Sequence, residues 1–120
     1  MTTSRSRTAR GMRTQLLVAD YLAAHGWPHA TSTGSGRSGV DILNVAGLAI
    51  EVKARATLAP LQWVKQAERD CTGLPLVVFR PNGMGEHPES FLAFLRLADL
   101  VSLLRAAGYG DPEPEQEEEW

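Results

Sequence analysis

"GLAIEVKAR" (residues 47–55) decides the fold and raises its first difficulty. Ile50 and Val52 are β-branched and apolar, so the stretch reads as a buried strand. Yet Glu51 and Lys53 alternate with them on the opposite face. Upstream, "SGVDILNV" (38–45) repeats the pattern: an apolar run with one carboxylate, Asp41. A carboxylate in a core strand costs desolvation unless something compensates it. The two stretches are therefore read both as core and as site.

Working outward, Val40–Val45 and Leu48–Lys53 form a hairpin around Ala46-Gly47. Upstream, Gln15, Val18, Ala19 and Leu22 share one stripe at helical spacing, which predicts a helix from Arg10 to His25 closed by Gly26. A short strand at His29–Thr31 follows, then the flexible loop "STGSGRSG" (32–39). Downstream, Pro60 opens a second helix that runs to Asp70. "GLPLVVFRP" supplies a buried strand over 74–80, and Ser90–Leu95 a fifth. A last helix, Ala98–Ala107, ends at Gly108. The predicted order is α-β-β-β-α-β-β-α, an α/β domain with a mixed sheet. It spans residues 10–110, between a disordered basic N-terminus (1–9) and a disordered acidic tail (111–120).

The formal net charge of −2 conceals a division. Six of the fourteen acids lie in "DPEPEQEEEW" (111–120); the other eight face twelve Lys and Arg, so the body carries +4. Arg5, Arg7, Arg10 and Arg13 crowd the first turns. A basic head suits a phosphate backbone, and equally suits a solvated terminus. The single cysteine, Cys71, excludes an internal disulfide and a Cys-based zinc site, and fits a reducing cytosol. No apolar run approaches the length of a membrane span. The three histidines show no ligand spacing, and "GSGRSG" lacks the ending of a P-loop. Trp63 reads as packing or an interface anchor.

Strand pairing can bring Asp41 and Glu51 together. Two unneutralised carboxylates there would repel each other. A hard divalent cation, Mg²⁺ or Mn²⁺, removes that conflict, because it binds through one or two carboxylates with waters and a substrate phosphate. Lys53 shares the face of Glu51 and can oppose charge developing on a phosphate. The same three residues can instead point to solvent from a half-exposed sheet. Parity adds a condition. A regular two-residue turn would set Asp41 opposite Val52, on the face away from Glu51 and Lys53. The site thus requires a longer loop, a bulge or a bend at Asp41.

Over residues 10–108 the layout resembles the PD-(D/E)XK nuclease superfamily, and within it the archaeal-type and phage Holliday-junction resolvases. The resemblance rests on "RGMRTQLLVADYLAAHGW" (10–27), "STGSGRSGVDI" (32–42), "AIEVKAR" (49–55), "PLQWVKQAE" (60–68) and the closing "RLADLVSLLRAAG" (96–108). It implies a restriction-endonuclease-like sheet flanked by helices. It implies metal binding by Asp41, Glu51 and the Val52 carbonyl, a catalytic Lys53, and support from Gln62. It also implies a branched or duplex DNA substrate, a homodimer with paired sites, and a cytoplasmic setting in a bacterial host, phage- or prophage-encoded. Arg10, Arg13, Ser35, Arg37, Arg55 and Lys65 are the candidate DNA contacts. Two positions depart from the pattern. Val40 replaces the proline before the aspartate, and Gln15 replaces a glutamate on the first helix. The second change removes a charge from the expected site. It opens the alternatives of a DNA-structure-binding module with lost or reduced cleavage, or a nuclease for another DNA substrate.

The tail generates the first prediction. Its six negative charges can compete with DNA for the basic body within the screening length, about 10 Å at 0.1 M salt. Deleting residues 111–120 is expected to tighten binding to branched DNA, most at low salt, as measured by fluorescence anisotropy. Equal affinities at low ionic strength would show that the tail plays no electrostatic part.

Overall fold

The computed structural model describes residues 4–34, 39–70 and 72–112. The elements are α1 (Ser4–Ala24), β1 (Thr31–Ser32), β2 (Ile42–Leu43), β3 (Leu48–Lys53), α2 (Pro60–Asp70), β4 (Leu74–Phe79), β5 (Leu92–Phe94) and α3 (Leu97–Ala106), with a 3-10 turn at Pro88–Ser90 before β5. The chain is an α/β fold in the expected order. Among the described residues no helix is long and apolar enough to cross a membrane.

β3 and β4 run parallel, with Ile50 beside Leu76 and Val52 beside Val78. Parallel neighbours need a crossover, and α2 supplies it. β5 then adds antiparallel to β4, pairing Val77 with Phe94. The mixed sheet has the order β3-β4-β5. Strand alternation divides its two faces. Ile50 and Val52 pack with Val18 and Ala19 of α1, and Leu22, Leu76 and Val78 join them. On the other face, Val77 and Phe79 pack against Trp63 and Val64 of α2, together with Phe94. The sheet is therefore a middle layer between α1 and α2. Trp63 is core: its ring lies 5.4 Å from that of Phe79 and 6.4 Å from that of Phe94.

Three expectations need correction. α1 begins at Ser4, so residues 4–9 are helical rather than disordered. Residues 1–3 and 113–120 lie outside the described residues, as do Ser35, Arg37 and Cys71. The expected hairpin is not a ladder. β2 is only two residues long and pairs antiparallel with β1, which starts at Thr31 rather than His29. Only isolated backbone bonds join the β2 segment to β3: Asp41 N–H to Ile50 O and Leu48 N–H to Val45 O, each 3.0 Å. Four residue steps separate Asp41 from Val45, against two from Ile50 to Leu48. The excess bulges out at Asn44, whose φ of 64° is left-handed. The fifth strand is also shorter than predicted, because Pro88 turns the chain before it.

α1 is held to the far end of the sheet by arginines. Arg80, only 6% exposed, donates to the Thr14 hydroxyl and to the Met84 carbonyl. Its guanidinium lies over the Phe91 ring. Arg10 donates to the Pro81 carbonyl, and Arg13 forms a forked pair with Glu86.

Gly73 links α2 to β4 at a point of close approach. Its φ is +139°, and a Cβ there would lie 3.0 Å from the Gly47 carbonyl oxygen. That oxygen already accepts the Leu74 N–H at 2.8 Å. Gly73→Ala is expected to cost about 2 kcal/mol through backbone strain, read as a lowered urea midpoint. An unchanged midpoint would show that the β3–β4 junction accommodates a side chain.

Candidate active site

The alternation of β3 sends Ile50 and Val52 to the α1 face and Glu51 and Lys53 to the α2 face. On that face α2 presents residues one turn apart. Gln66 accepts a hydrogen bond from the Lys53 ammonium at 2.8 Å. Asp70, one turn further on, hydrogen-bonds with Glu51. Glu51 is 1% exposed, and its Oε1 is buried without a hydrogen-bond partner.

Asp41 arrives from the outer edge of β3. The bend at this residue turns its carboxylate toward the strand, where Oδ2 accepts the Val52 N–H at 2.7 Å. The side chain also interacts with Glu51 and Lys53. The bend that parity requires is thus present. Asp41 reaches the neighbourhood of Glu51 around the strand edge rather than from an opposed position on a ladder. A strand residue directs its N–H and C=O to the same edge, so the Val52 carbonyl shares the edge where Asp41 sits.

The electrostatics follow from burial. Desolvation, then the hydrogen bond with Asp70 and the nearby charge of Asp41, push the Glu51 carboxyl from 4.5 up to about 9; Lys53 opposes the shift. Burial also raises Asp41, against the Val52 N–H and Lys53. At neutral pH the buried Glu51 carboxyl is therefore held toward its protonated form. Among the described residues no group of three or more His, Cys, Asp or Glu side chains is arranged to hold a metal ion. Two carboxylates are nonetheless enough for Mg²⁺, which fills its remaining positions with water and phosphate. The unpartnered Glu51 oxygen fits such a ligand.

The other expected residues divide. Gln15 is buried, but its side-chain carbonyl accepts the Ser32 hydroxyl at 2.8 Å, which ties it to β1. Gln62 is exposed, and Gln66 rather than Gln62 holds Lys53. Arg10 donates to the Pro81 carbonyl, and Arg13 pairs with Glu86 at the surface. Arg55 and Lys65 are exposed. Gln66 and Asp70 were not anticipated. The signal was available in the sequence: they follow Gln62 at successive helical turns, on the face that meets an alternating E-x-K strand.

The Glu51 shift fixes a pH dependence. Between pH 4.5 and about 9 the folded chain holds a proton that the unfolded chain has lost. Stability of the metal-free chain is therefore expected to fall as pH rises through that window. Glu51→Gln cannot ionise and should flatten the slope. Urea midpoints of both proteins in chelator measure this. A wild-type midpoint that is flat or rises with pH would mean that Glu51 is ionised in the folded chain.

Comparison with known families, characterised proteins and solved structures returns no match to this chain.

Proposed function

We propose that this chain is a metal-dependent DNA endonuclease of the PD-(D/E)XK type, with branched DNA such as a four-way junction as its preferred substrate. The observation that carries the reading is Glu51: a carboxylate at 1% exposure with an unpartnered oxygen, beside Asp41 and on the face of Lys53. A hard divalent cation is the ligand that would let both carboxylates ionise there, binding through one or two of them. The resemblance described above supplies the reaction class.

Asp41, Glu51 and the Val52 carbonyl would hold the ion. Bound Mg²⁺ or Mn²⁺ would supply charge neutralisation and polarise the scissile phosphate. Lys53, kept in place by Gln66, orients the attacking water and offsets charge as the phosphorus accepts its oxygen. A P–O bond to water forms and the P–O bond to the leaving sugar oxygen breaks. Arg55 and Lys65 are exposed for backbone phosphates. A cytoplasmic setting in a bacterial host, as the resemblance implies, suits such a substrate. A second reading, a junction-binding module without cleavage, draws support from Gln15, which is uncharged and already bonded to Ser32.

Asp41→Ala, Glu51→Ala and Lys53→Ala are each expected to lower junction cleavage by at least about a hundredfold while junction binding persists. Mg²⁺-dependent cleavage of a four-way junction against linear duplex is the measurement. Wild-type rates from any of the three variants would remove that residue from the site. Junction binding without cleavage by the unaltered chain would establish the second reading.

A further inference from the structure

α3 has no buried residue, and a helix of ten residues is marginal in water without tertiary packing. Its first turns flank a groove of about 410 Å³. Leu61 and Val64 of α2, Phe94 of β5, and Leu97 and Leu100 of α3 line it, with Arg96. Phe94 also stacks on Phe79 and lies 6.4 Å from the Trp63 ring. The groove is therefore an apolar slot at the edge of an aromatic cluster. Leu61 and Leu97, at 57% and 74% exposure, stand open on its two sides.

The chain that follows α3 stays beside it. The Tyr109 N–H donates to the Leu104 carbonyl. Gly108 and Gly110 take φ of 96° and 91°, in the left-handed region that lets the backbone turn. The Arg105 guanidinium then donates to the carbonyls of Tyr109 and Asp111, at 3.2 and 2.7 Å. Asp111 is thereby held against the last turn of α3 rather than six residues beyond it. Nine more residues lead to Trp120. Their fully extended length is roughly 30 Å, twice the length of about 15 Å that the ten residues of α3 occupy. Trp120 can therefore reach the groove at the opposite end of the helix.

We propose that residues 113–120 of this chain lie back along α3 and seat the Trp120 indole in the groove, against Phe94 and Leu100. Shape favours this occupant: an indole brings roughly 150–250 Å² of surface and packs well on an aromatic ring, and Trp120 is the one large apolar side chain of the segment. Charge favours it too. Five glutamates and no base stand between Pro112 and Trp120. Around the groove, Lys65, Arg69, Arg96 and Arg105 are exposed cations. Glu68 and Asp99 oppose them, while Asp70 is turned to Glu51. Four bases against two acids leave that surface basic. Tethering decides the competition. A short linker gives its segment an effective concentration in the millimolar range at a site within its span. A second copy at micromolar concentration starts about a thousandfold behind.

The proposal does not rest on the cleavage reading, and its test reads no cleavage. In a Cys71→Ser background of the full chain, Ala98→Cys and Glu119→Cys place thiols beside the groove and beside Trp120. Their disulfide, equilibrated with a glutathione buffer at micromolar protein, measures how often the tail occupies the groove. Mass spectrometry should find it closed within one chain. Adding Trp120→Ala should lower the closure constant at least about tenfold, and Trp120→Phe should lower it less. Raising the salt should weaken closure as the charges are screened. Hydrogen exchange on the chain without added cysteines gives a second reading. Trp120→Ala, which leaves every residue of α3 in place, should speed exchange of the α3 amides at least about threefold. A closure constant indifferent to Trp120→Ala would overturn the proposal. So would α3 protection that rises with protein concentration and ignores Trp120→Ala, which would give the groove to a second copy.

Discussion

Burying the Glu51 carboxyl is the constraint from which the local architecture follows. It sits mid-strand, between the apolar Ile50 and Val52, and alternation leaves it nowhere to go but against α2. A charged carboxylate there would be expensive. The structure sets the Asp70 side chain and a lysine two residues along beside it. Neither satisfies Oε1. The sheet-facing side of α2 is correspondingly polar at Gln66 and Asp70, while Trp63 and Val64 of the same helix pack into the aromatic cluster with Phe79 and Phe94. One helix thus serves a dry core and a polar site from the side it turns to the sheet.

Much of this was legible in the sequence because its signals are local. The limits of β3 and α2 match the expected ones, since an alternating strand and a proline-opened amphipathic helix each mark their own boundaries. The inward stripe of α1 is also as expected: Val18 and Ala19 are core and Gln15 is buried. What escaped depends on partners distant in sequence. Nothing local in "SGVDILNV" says that its apolar residues would pair with Thr31 and Ser32 rather than with β3. Arg10 and Arg13 look like free cations until Pro81 and Glu86 fold back onto them. Arg80 looks like an ordinary surface charge after a strand, and its burial rests on Thr14, sixty-six residues away in sequence.

The two faces of the sheet carry different obligations. The α1 face is fixed by apolar packing and closed at one end by the arginine contacts, so it gives the site a rigid floor. The α2 face carries the titratable groups. α3 belongs to neither layer. Its apolar stripe is the largest group of exposed hydrophobic side chains in the described chain, at the end of the sheet where β5 stops after three residues.

The Asp41–Val52 hydrogen bond has a meaning beyond the site. β3 is the outer strand of its sheet, and an outer strand with free N–H groups invites another chain to add to it. Here a side-chain carboxylate takes the Val52 N–H, and the bend that delivers it keeps β2 from extending along β3. The intruding strand of a neighbouring molecule would meet a negative charge where it needs a carbonyl and a bulge where it needs a flat run. The departure from regular pairing that brings Asp41 to Glu51 is therefore also a guard against edge-to-edge aggregation, and a substitution that straightened the bend would expose the chain to self-association through the wrong surface.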